Sequence, residues 1–313
     1  MATLQAAIEW LDGLTASATD YVGEVAQNVN TTAGEALAPL VLPLQEPLLQ
    51  SNVLSKFPLY MLVLGHCLFM ANLFRAVYRP FWLAGLVLSF FGTFGGGILT
   101  AYLWATPTTL VFGSASNMFV STHVVCWWLM NYSPGDFFHK LFNLAIPFKV
   151  FCACASTYLR VNLIIDNIDA CLSKFPDNFW APIFIGIVSG SGGKYISDAA
   201  QLLFMPFLER PAPELLVPTA ATVSAFVIAS AHLILVHGLA IVPSEVSAAL
   251  VVSVFLAETV TAQLFMPLNW TTTLYRYFRF VLNIPTPETP ATRGVKLEGD
   301  KNTPAVSDTR KRK

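Results

Sequence analysis

Charge is scarce in this chain. Of its 313 residues only 12% are Asp, Glu, Lys or Arg, 55% are hydrophobic, and the mean hydropathy is +0.58. Soluble domains are roughly a quarter charged, so the composition excludes a water-soluble fold and describes an integral membrane protein. Residues 1–55 contain no Lys or Arg but six acids, Glu9, Asp12, Asp20, Glu24, Glu35 and Glu46. No charged residue falls between Arg79 and Asp136, a run long enough for two spans of about 20 residues each. Cys67, Cys126, Cys152, Cys154 and Cys171 form no CxxC pair and have no His partners at zinc-like spacing, and their odd number argues against a disulfide framework. Most read as small apolar fillers, with only Cys171 near an expected loop. His66, His123, His139, His232 and His237 make no HxxxH or HExxH array, and GxSxG, Walker and Ser/Lys patterns are missing. With no paired nucleophile and base, enzyme function is disfavoured and no enzymatic cofactor is expected. The N-terminus has no basic start followed by a compact apolar segment, so insertion is expected to rely on the first true span.

Hydropathy divides the rest into seven spans, about 57–74, 82–104, 114–131, 139–163, 179–200, 216–238 and 244–266. The expected architecture is all-α, with an acidic luminal extension (1–54), a seven-helix domain (55–270) and a basic, largely disordered cytosolic tail (271–313). Residues 276–313 carry nine bases against four acids, which places the C-terminus in the cytosol. An odd number of spans then puts the N-terminus in the lumen, where Asn30-Thr31-Thr32 is a glycosylation sequon. Arg75, Arg79, Lys140 and Arg210 fall in cytosolic loops on this reading. The run Arg310-Lys311-Arg312-Lys313 could meet anionic head groups, but a solvated charged tail is the favoured reading.

Two glycine clusters stand inside apolar stretches: Gly95-Gly96-Gly97 in span two, and Gly190-Ser191-Gly192-Gly193 in span five. Glycine costs a helix interior about 1 kcal/mol relative to alanine, so each cluster marks either a break opened toward a cavity or a place where helices approach closely. Both occupy the middle of a three-span group, 57–131 and 139–238, and three spans per group turn the second upside down relative to the first. That is the outline of two inverted three-helix repeats followed by a seventh helix.

Ionisable residues within spans are functional candidates, because burying them is costly. Lys149 and Arg160 lie eleven residues apart in span four, nearly on one helix face with Ser156 between them. They either face a polar conduit or anionic head group, or snorkel to the interfaces. Lys194 follows the second glycine cluster and stands four residues before Asp198, the spacing of a helical ion pair. Glu258 is a further acid in span seven. Thr93, Ser189 and Ser191, with backbone carbonyls, are the expected cation-contacting groups.

The stretches FPLYMLVLGHCLFMANLFRA, FGGGIL, WWLMNYSP and GSGGKYISDAAQLL, spread over residues 55–270, resemble the trimeric intracellular cation (TRIC) channels. The resemblance implies homotrimers with a pore in each subunit, conducting potassium across endoplasmic or sarcoplasmic reticulum as counter-ion current for calcium movement, and binding a phosphoinositide lipid near the pore. The implied partners are further copies of the chain, membrane lipid and monovalent cations, and not nucleic acid. The family's Lys-Glu-Val-x-Arg signature of span four is reduced here: Ser156, Thr157 and Tyr158 stand at its first three positions and Arg160 matches its arginine. Arg160 is therefore the implied lipid-contacting or gating residue. A secondary transporter built on inverted repeats and a non-conducting lipid-binding relative are the competing readings.

Overall fold

A computed structural model describes residues 53–108, 113, 116–204, 218–238, 242–265, 273 and 276–277. The acidic extension with its sequon, Arg210 and nearly all of the basic tail lie outside the described residues. Within them the secondary structure is helical: α1 (Leu59–Tyr78), α2 (Trp82–Leu103), α3 (Ser116–Tyr132), the short α4 (Phe137–Leu144), α5 (Ile146–Lys174), α6 (Trp180–Phe204), α7 (Ala220–Leu233, widening into a π turn at Ile234–Gly238) and α8 (Ser244–Leu264). Five of these, α1, α2, α5, α7 with its π turn, and α8, are long and apolar enough to cross a membrane.

The fourth span departs from the expected 139–163. Helical residues before it form the separate α4, the chain turns at Ala145, and α5 then runs from Ile146 to Lys174. Pro147 explains the restart, since proline is tolerated in a first helical turn and not in an interior. Lys149 thus sits in the first turn of α5, and Cys171 is buried in its last turn, next to the loop that follows. Arg75 is likewise no loop residue: α1 continues through it to Tyr78, and the arginine is buried. All five cysteines are buried free thiols.

Apolar packing forms two main cores. One gathers Val63, Leu68, Leu88, Phe94, Trp127, Met130 and Phe142 from α1 to α4. The other gathers Ile164, Ile168, Ile183, Ile228, Leu233 and Val252 from α5 to α8. Between them α2 crosses α6, where the expectation of helix breaks is corrected. Both glycine clusters lie in uninterrupted α-helix. A Cβ on Gly96 would stand 1.9 Å from the Ser189 carbonyl oxygen, and one on Gly193 would stand 2.2 Å from that of Gly92. The clusters let two backbones touch, the small-residue crossing familiar from membrane helices.

Candidate functional site: a cavity beside the glycine crossing

Alongside this crossing lies a cavity of about 890 Å³, walled chiefly by α1, α2, α5 and α6. Gly96, Gly97, Gly190, Ser191 and Gly193 reach its wall together with Ser156, Arg160 and Lys194, whereas Gly95, Gly192, Lys149 and Asp198 do not line it. The straight helices thus produce the hollow that breaks were expected to provide: where side chains are reduced to hydrogen, backbone and small hydroxyls form the wall.

Those hydroxyls are oriented by their own helices. Thr93 donates to the Ser89 carbonyl at 2.7 Å, Ser189 to Ile185 at 2.7 Å and Ser191 to Ile187 at 2.5 Å. A hydroxyl whose hydrogen is committed to the preceding turn keeps only lone pairs for other partners, which suits a wall touched by cations.

Arg160 sits at the junction of α5, α6 and α7. Its Nε donates to the Gly190 carbonyl at 2.8 Å, and an Nη donates to Ser224 Oγ at 2.9 Å and to the Ala221 carbonyl. The planar fork fits several acceptors at once, which an ammonium on a flexible stem does not. Arg160 therefore ties the glycine segment of α6 to the start of α7. Lys194 and Asp198 form the expected i,i+4 pair at 2.5 Å, which offsets the lysine's charge at the wall.

Sequence reasoning passed over three features. His66 points into the cavity wall, with Nδ1 2.9 Å from Ser156 Oγ and Nε2 3.2 Å from the Thr93 carbonyl. The only available signal was a polar ring in the middle of an apolar span. Asp169, His232, Ser244 and Ser247 join α5, α7 and α8: His232 Nε2 is 3.0 Å from Asp169, its Nδ1 is 3.0 Å from Ser247, and Ser244 donates to Asp169 at 2.6 Å. No sequence spacing announces that set, because its members are 63 and 75 residues apart. At the α3–α4 turn, Asp136 accepts from Arg79 at 2.7 Å and pairs with Arg75 at 3.1 Å. The hydrogen bond from Arg75, reinforced by both positive charges, holds the Asp136 carboxyl below the usual carboxylate range. Burial and the same arginines push the His139 imidazole below its ordinary value.

A helical membrane protein with a cavity at a glycine crossing, mostly apolar but carrying a strip of polar groups, belongs structurally with channels and transporters. The TRIC channel family model matches residues 76–268, and the chain belongs to that family. Trimeric intracellular cation channel type B-A of Xenopus laevis is 30% identical over 110 residues, which is 35% of this chain and 38% of that relative. Type B of Xenopus tropicalis is 29% identical over the same shares. The chain spans only 38% of the length of these relatives. Among solved structures, one described as the structural basis for activity of TRIC counter-ion channels in calcium release superposes with a TM-score of 0.60 at 21% identity, over 70% of this chain and 98% of that one. A C. elegans trimeric intracellular cation channel solved without Ca2+ superposes with a TM-score of 0.58 at 17% identity, over 72% and 99%. These likenesses establish the fold.

Proposed function

We propose that this chain is a potassium-conducting channel of the endoplasmic reticulum or a related endomembrane, acting as a homotrimer whose path runs through each subunit. It would cross the membrane seven times as two inverted three-helix repeats plus α8, with its N-terminus luminal and its C-terminus cytosolic. Counter-ion current is the physiological role this reading gives it: moving one elementary charge across a membrane potential costs about 2.3 kcal/mol per 100 mV, so calcium flux without compensating potassium would stall. The observation that carries the proposal is the cavity beside the α2–α6 crossing, a largely apolar hollow with a strip of lone-pair-bearing hydroxyls and glycine backbone along one wall. Cation preference would arise from those oxygens, with Arg160 holding the wall in shape. A phosphoinositide head group entering here would compete with Gly190, Ala221 and Ser224 for the Arg160 donors.

The test is recording from purified protein in planar bilayers under a potassium chloride gradient. Unitary currents that reverse near the potassium potential are expected. Solute-coupled flux without unitary steps would replace the proposal with a transporter, and lipid binding with no flux would replace it with a non-conducting relative.

A further inference from the structure

We propose that His66 sets the charge of the permeation cavity, admitting cations while neutral and repelling them once protonated; this rests on the channel reading above. The geometry fixes the neutral form. The Thr93 carbonyl can only accept, so His66 Nε2 carries the hydrogen and donates across 3.2 Å, leaving the Nδ1 lone pair to receive the Ser156 hydroxyl at 2.9 Å. A second proton added at Nδ1 reverses that bond: Ser156 Oγ becomes the acceptor and its hydrogen rotates away. Both states keep two hydrogen bonds, so the ring can change charge without losing its position between α1, α2 and α5.

What the site lacks is a counter-charge. Among the described residues no Asp or Glu lines the cavity. The groups on the packed faces are Arg160 on α5, one turn beyond Ser156, Lys194 with its partner Asp198 on α6, and His123 on α3. The remaining titratable groups packed nearby are the Tyr78 phenol and the buried thiols of Cys67, Cys126 and Cys152, and α2 carries no charged residue. Protonated His66 would therefore add a positive charge to a wall that carries no acid among the described residues. Ser156 occupies the place where the signature has lysine, so a switchable imidazole stands where a fixed cation would be expected.

The experiment records potassium current from wild type and His66→Gln with the same buffer on both sides, stepped from about pH 8 to about pH 3 so that protonation of the buried imidazole runs to completion. Glutamine keeps a donor for Thr93 and an acceptor for Ser156 but cannot take up a proton. Wild-type current is expected to fall roughly tenfold as the pH drops, the scale of a unit charge acting over about 12 Å at an effective dielectric near 20, while His66→Gln stays within about twofold. A pH-insensitive wild-type current overturns the proposal whether or not the variant folds, and so does a folded His66→Gln channel that keeps the wild-type fall. Absence of cation current at every pH would instead overturn the channel reading itself, and this inference with it.

Discussion

The two sides of the α2–α6 crossing use the same glycines in opposite ways. On the packed side Gly95 and Gly192 bring backbones into contact, with a Cβ on Gly95 falling 2.7 Å from the Gly193 Cα. On the cavity side Gly97 and Ser191 line the hollow, whereas a Cβ on Gly190 would press against Ile164 on α5 and Ala225 on α7. Dense packing and a hollow are thus products of one sequence feature: removing side chains from a stripe tightens the contact where two helices meet and opens space where they diverge. The crossing needs no polar partner, whereas the hollow is held open by Arg160 reaching three acceptors on α6 and α7.

The comparison is broken most severely by filling the packed side. Gly96→Ala places a methyl group 1.9 Å from the Ser189 oxygen, and the cost is expected to exceed about 3 kcal/mol because backbone, not a flexible side chain, must move; loss of the folded peak in detergent gel filtration checks it. Arg160→Ala attacks the other side. Two backbone carbonyls and a serine lose a charged donor, for which about 2–3 kcal/mol and a clear drop in melting temperature are expected. Arg160→Lys should recover only part of this. His232→Ala, away from both sides, strands the buried Ser247 and undoes the ties from α7 to α5 and α8, with an expected loss of about 1–3 kcal/mol in the same melting assay. Gly238→Ala should change stability by less than about 0.5 kcal/mol, since its new methyl would meet Ile234 at an ordinary 3.8 Å.

Acid sharpens the distinction between cavity and periphery. The Asp136 carboxyl is held low by Arg75 and Arg79. A depressed carboxylate stabilises the fold above its unfolded value, about pH 4, and the contribution disappears only as the pH falls through the lower folded value. The α3–α4 turn should therefore keep its hydrogen-exchange protection at pH 5, and Asp136→Asn should lose protection there already.

Most of the long helices were legible because apolar runs of membrane length and the glycines inside them are local features of the chain, whereas the fourth span was misplaced because its restart at Pro147 divides what reads as one run. The Lys194–Asp198 pair was legible for the same reason, being set by helical periodicity. The end of α1 was not, because Arg75 continues the helix only by virtue of Asp136, 61 positions further along, and the Met130 carbonyl. Nor was the role of His66, whose partners Thr93 and Ser156 lie 27 and 90 residues away.

By itself the sequence determined that the chain lives in a membrane, where most of its long helices run and which family it belongs to, since hydropathy, charge placement and motif residues are properties of neighbouring positions. Only the tertiary structure decided that the glycines close a crossing instead of breaking helices, and that Arg160 and His66 face one cavity. A glycine permits both a bend and a close approach, and the choice falls to whichever helix packs against it.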